Sequence, residues 1–199
     1  MPELVNFDAL GLLCASDIRR HIKQSIPVWH LEGIPSISYR PGAFFPPCVG
    51  AKEVAIGLYD LATHEISVRY VNWNEIETRL SRLKNVLVGS EILSQLQNKN
   101  MLVGEAYLQF RKDEGQVLRT IYHEIGHNVY SLLLRRDPFF KDRWDCIYKN
   151  SKERVSSYAD KNAEEDFAEC YMIYVNDLDM IRRPQFHPEF NELRRWFLE

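Results

Sequence analysis

Residues 113–136 read DEGQVLRTIYHEIGHNVYSLLLRR. Val117, Leu118, Ile121, Ile125, Val129 and Leu132 recur at three- and four-residue spacing, so this run predicts a long helix with one broad apolar face. Asp113 followed by Gln116 has the pattern of a capping box at its start, and Pro138 stops it near Arg136. His123 and His127 stand at i and i+4 on that helix. Both imidazoles therefore lie on one face, one turn apart, and can reach a single tetrahedral zinc. Glu124 is rotated by about 100°. It can stand beside the metal and take the proton of a bound water without being a ligand itself.

Two histidines do not complete a catalytic zinc site, which needs a third protein ligand and leaves a fourth position for water. His187 is the only histidine after His127, and it sits in a Pro-rich tail. Carboxylates are the better candidates. Asn162 with Glu165 forms a second capping box and opens a helix expected to run to about Val175. Glu164, Glu165, Asp166 and Glu169 cluster at its start. Glu165 and Glu169 share a face, so one can bind the metal while the other hydrogen-bonds the far nitrogen of a ligating histidine. Glu164 points about 100° away from Glu165 and is not expected to reach the metal.

The stretch from Ser157 to Tyr171, SYADKNAEEDFAECY, together with His123–His127 resembles the catalytic half of the anthrax lethal factor-type metallopeptidases, a group that includes the Pro-Pro endopeptidases. In that gluzincin-like family a tyrosine precedes the glutamate ligand by seven positions, within a Tyr…Glu-x-Phe-Ala-Glu pattern. Tyr158 and Glu165 have that offset, and Phe167-Ala168-Glu169 follow in step. The resemblance covers roughly residues 104–176. It implies His123, His127 and Glu165 as zinc ligands, Glu124 as general base, Tyr158 as a donor to the oxyanion, and Glu169 as the residue behind a ligating histidine. It implies one zinc per chain, hydrolysis of internal peptide bonds, and a protein or peptide substrate. The alternative reading is a zinc-containing binding module without turnover.

The expected fold is α+β: a zincin-like domain in which a small twisted sheet packs on the active-site helix and a second, glutamate-bearing helix closes the site. One domain is expected over residues 1–199, with 1–50 an N-terminal helix and Pro-rich segment and 51–199 the catalytic portion. Residues 53–71 alternate as a β-hairpin around a polar turn at 60–65. Residues 102–110 suggest a further strand. In zincin-like enzymes such a strand is an edge to which an extended peptide adds, which makes Tyr107, Gln109 and Arg111 candidate groove residues. Helices are expected over residues 8–25, with Asp8 as cap, over about 74–87 and over about 90–99. Ile34–Tyr39 is a short strand, and a last amphipathic helix starts at Glu189. The basic and aromatic segment 139–156 reads as a solvated lid over the cleft, the alternative being the working surface of a structural or interaction protein.

Composition is consistent with one folded domain. The 199 residues are 45% hydrophobic and 27% charged, with a net charge of −3. A chain of this size buries about 70% of its unfolded surface, enough for one core. No global basic field exists, so nucleic acid is not an expected partner. Neither a signal-like segment nor a stretch of ~18 apolar residues is visible, so no membrane partner is expected and the cytoplasm is the default compartment; a secreted or delivered form is the alternative. Cys14, Cys48, Cys146 and Cys170 are far apart and expected to be reduced and mostly buried.

Overall fold

The computed structural model describes residues 1–11, 13–40, 56–70, 113–176 and 184–198. The expected helices over 74–99, the strand at 102–110 and the groove residues Tyr107, Gln109 and Arg111 lie outside the described residues. Within them the chain is α+β. Strands β1 (Glu3–Val5), β2 (Ser36–Tyr39), β3 (Gly57–Tyr59) and β4 (Ile66–Val68) form a mixed sheet of order β1-β2-β4-β3. The first three in that order run parallel, and β3 pairs antiparallel with β4. Five α-helices are described: α1 (Ala15–Ser25), α2 (Asp113–Arg136), α3 (Phe140–Asn150), α4 (Ala163–Asn176) and α5 (His187–Leu198).

The hairpin follows the alternation. Tyr59 pairs with Ile66 and Gly57 with Val68. Asp60 Oδ1 accepts the N–H groups of Ala62 and Thr63, which closes the turn, and His64 adopts a left-handed φ of 58°. The first helix is shorter than expected. Gly11 takes φ +72°, which ends the short 3-10 turn Phe7–Ala9 that holds Asp8, so α1 restarts only at Ala15. Ile18 and Ile22 then anchor α1 in the same core as Ile37, Ile66, Ile121 and Phe190. Among the described residues of the first forty, Phe7, Ile18, Ile22 and Ile37 thus form part of the core.

Helix α2 is the centre of the fold. Its apolar stripe is buried as expected, with Val117, Ile121, Ile125 and Val129 at 1% exposure or less. Its polar face is buried too: Gln116, Arg119, Thr120, His123, Glu124 and Asn128 are all enclosed. Covered by the sheet on one side and by α4 on another, the middle of α2 is shut off from water, so its polar residues need partners; among the described residues of α2 only the last turn, from Leu134 to Arg136, is exposed.

Segment 139–156 is not a solvated lid. Phe140 and Trp144, one turn apart on α3, are fully buried against Phe167 of α4, with ring centroids 5.5 and 4.9 Å away. Trp144 Nε1 donates to Ala163 O at 2.9 Å and ties α3 to the first residue of α4. Full burial of each large side chain contributes roughly 1.5–3 kcal/mol, so α3 supports α4 from behind. Of the three described cysteines only Cys170 is buried, while Cys14 and Cys146 are exposed and all three are free. No helix among the described residues is long and apolar enough to cross a membrane.

Candidate metal centre

Helix α4 presents its acidic first turn to the middle of α2. Asn162 caps it, its Oδ1 accepting the N–H groups of Glu164 at 3.0 Å and Glu165 at 2.9 Å. This is half of the expected capping box. The Glu165 carboxylate is turned to the histidines: its Oε2 lies 3.2 Å from His123 Nε2 and 3.4 Å from His127 Nε2. The two Nε2 atoms are 3.1 Å apart.

Three lone-pair atoms thus converge in a triangle with sides of 3.1, 3.2 and 3.4 Å. The donor set fits a small tetrahedral divalent ion, since bonds of about 2.0–2.1 Å give a ligand-to-ligand edge of about 3.3–3.4 Å. Buried Glu165 Oε2 takes no hydrogen bond of good geometry among the described residues, although both imidazoles adjoin it. His123, His127 and Glu165 are the group among the described residues that could hold a metal ion.

Each imidazole has a carboxylate behind it, at ion-pair distance for His123 and at hydrogen-bond distance and geometry for His127. His123 Nδ1 stands 2.8 Å from Glu169 Oε1. Ser156 Oγ donates to Glu169 Oε2 at 2.6 Å and accepts the N–H of Ala159, so one hydroxyl ties the turn before α4 to the carboxylate behind His123. His127 Nδ1 stands 3.2 Å from Glu164 Oε1. Tyr158, in that same turn, sets its ring edge-on to His123 with centroids 5.6 Å apart, and Lys161 Nζ lies 3.9 Å above the tyrosine ring.

Glu124 leaves the triangle free and faces the sheet. A Cβ on Gly57 would fall 2.0 Å from Glu124 Oε1, so only glycine leaves room for this carboxylate. The nearby backbone N–H of Tyr59 favours the ionised form of Glu124. Two residues along β3, the Tyr59 hydroxyl donates to Asn128 Oδ1 at 2.9 Å. A strand advances about 6.6–6.8 Å in two residues and a helix about 6 Å in four, so β3 can run along α2 and engage Glu124 and Asn128 in step. Asn128 Nδ2 in turn donates to the carbonyls of His30 and Glu32.

Charge at the site follows from burial and from these carboxylates. Burial opposes the imidazolium of His127, yet Glu164 and Glu165 overcome it and push this histidine up to about 9. His123 is likewise raised well above its ordinary value against the pull of burial, by Glu165 and Glu169. Burial favours the neutral acid of Glu165, but the two imidazoles hold it far below the usual carboxylate range. Glu124 is raised, chiefly by burial, against the influence of His123 and His127. Ligation of a divalent ion by these groups would displace protons from the imidazoles.

All six expected site residues in the described regions, His123, Glu124, His127, Tyr158, Glu165 and Glu169, come together here. Sequence reasoning set Glu164 aside as pointing away from the metal, without foreseeing its contact with His127, and missed Ser156 and Gly57. For Glu164 a signal existed: a capped helix start places its carboxylate in the first turn, near whatever helix packs there. No family model, curated protein or solved structure matches this chain.

Proposed function

We propose that this chain is a zinc-dependent endopeptidase of zincin-like fold, similar to the lethal factor-type and Pro-Pro endopeptidase group. The observation that carries the reading is the triangle of His123, His127 and Glu165 with the separate carboxylate of Glu124 beside it on the same helix. Two imidazoles and one carboxylate suit zinc and leave one position open, as catalytic zinc sites require. Bound there, zinc would supply a Lewis acid and a water whose pKa is near 7.

The remaining work belongs to the chain. Glu124 is buried where α2 meets β3, and its raised affinity for a proton suits a group that accepts one from water and returns it to the leaving amine. Gly57 leaves the room in which that carboxylate sits. Glu169, anchored by Ser156, and Glu164 hold the imidazoles by their Nδ1 atoms, so that both Nε2 lone pairs face inward. Tyr158 stands beside His123 as the hydroxyl donor to the oxyanion of the scissile carbonyl, a contribution usually of ~10²–10³ in rate. The substrate class is a protein or peptide.

The test is cleavage of a diversified peptide library by purified protein, with and without a chelator. Cleavage that stops with chelator and returns with one equivalent of zinc supports the reading. Firm zinc binding without cleavage favours the silent binding module, and no zinc binding removes both.

A further inference from the structure

The two histidines are almost equally enclosed, with side-chain exposures of 11% for His123 and 12% for His127, but their supports differ. Behind His123, Glu169 is 9% exposed, stands 2.8 Å away, and is itself held by Ser156. Behind His127, Glu164 is 42% exposed and stands 3.2 Å away. We propose that Glu164 governs metal exchange: its half-exposed carboxylate braces His127, and its release is the event that frees His127 and opens the site. The proposal rests on the reading of His123, His127 and Glu165 as the metal ligands.

An ion leaves a three-ligand site one bond at a time, beginning with the ligand that can turn away most easily. The Glu164 carboxylate, open to water, exchanges His127 for solvent at little net cost, whereas the buried Glu169 carboxylate would be left desolvated and unpaired if it parted from His123. His127 is therefore the first ligand to swing, and His123 with Glu165 forms the fixed pair. The backbone under Glu164 does not need to move. Asn162 pins the N–H groups of both Glu164 and Glu165, so the Glu164 side chain can rotate while Glu165 stays in place.

A simpler role for Glu164 is a negative charge in the first turn of α4, favourable to the helix N-terminus. The two roles separate by substitution. Glu164→Gln loses the charge but keeps an oxygen that can accept the His127 Nδ1–H, while Glu164→Ala loses both.

The experiment loads wild type, Glu164→Gln and Glu164→Ala with zinc by dialysis and follows capture of the ion by an excess of a chromogenic chelator. Expected is about one zinc per chain in all three. Release from Glu164→Ala should be ~10-fold or more faster than from wild type, the scale on which such outer hydrogen bonds act. Glu164→Gln should stay close to wild type. The cobalt-loaded forms should share one visible spectrum, because the coordinating atoms are unchanged. Equal release from wild type and Glu164→Ala overturns this proposal alone. Equal acceleration in Glu164→Gln and Glu164→Ala assigns the effect to charge and overturns it as well. Wild-type protein that takes up no zinc overturns the metal-site reading and this proposal with it.

Discussion

Gly126 meets Ala168 with no room for a side chain between them: a Cβ on Gly126 would stand 2.9 Å from Ala168 Cα and 3.3 Å from Tyr171 Cβ. Gly126 lies between the two histidines on α2, and Ala168 lies one turn beyond Glu165 on α4. The missing side chain therefore sets the distance at which Glu165 meets His123 and His127.

Gly126→Ala should push the two helices apart. Alanine gains about 1 kcal/mol of helix propensity over glycine, but overpacking against backbone costs typically 1–3 kcal/mol. The net expectation is lower stability in urea unfolding, together with weaker metal binding by titration. A variant that is more stable and binds metal as well as wild type would show that the helices have slack at this point.

Gly57→Ala tests the wall behind Glu124. The added methyl would occupy the position of the Glu124 carboxylate, at 2.0 Å from Oε1, while leaving His123, His127 and Glu165 alone. Metal content should hold, and hydrolysis should fall by ~10²-fold or more, the usual contribution of a positioned acid–base group. The check is elemental analysis paired with a cleavage rate on the same sample.

Among the acidic residues of α4 the effects on metal content should rank by position. Glu165→Ala should lose most of the metal. Glu169→Ala should bind ~10–100-fold more weakly, as expected when the partner of a ligating imidazole is removed. Equilibrium dialysis gives the ranking directly, and a Glu169 variant with less metal than the Glu165 variant would reverse the assignment of ligand and support.

Much of this site was legible in the chain because its two helices carry strong local signals. The apolar periodicity and Pro138 place α2, Asn162 places α4, and the i, i+4 histidines face one way on any helix. The hairpin was legible from its alternation and its Asp60 turn. What stayed hidden depends on contacts distant in sequence. β1 is three residues long, too short to show a period, and exists because it pairs with residues 36–38. Gly57 and Gly126 look like weak points in a strand and a helix until the partner backbone or carboxylate is placed against them. The Phe140 and Trp144 spacing did carry a helix signal, but the surrounding lysines and arginines masked it as a solvated segment.

His30 is another residue that only the fold explains. It is 1% exposed, its Nδ1 is 2.8 Å from the Tyr171 hydroxyl, and its Nε2 has no partner among the described residues. Burial pulls it down to about 3. The unfolded chain takes up a proton there near 6.5 and the folded chain does not, so this residue makes stability fall as pH drops from about 6.5 toward 3. The slope is at most about 1.4 kcal/mol per pH unit. In metal-free protein, His30→Gln should flatten that part of the stability profile in urea unfolding between pH 4 and 7. An unchanged slope would mean that the histidine is charged or solvated in the fold.

The most direct measurement compares wild type and Glu124→Gln for zinc content and peptide cleavage in the same preparations. The amide keeps the size of the side chain but cannot take the proton of a water as a carboxylate does. Expected is about one zinc per chain in both proteins, cleavage by wild type, and a loss of nearly all cleavage in Glu124→Gln. Equal cleavage by the two proteins, or loss of zinc along with loss of activity, would contradict the assignment of Glu124 as the base beside a metal held by His123, His127 and Glu165.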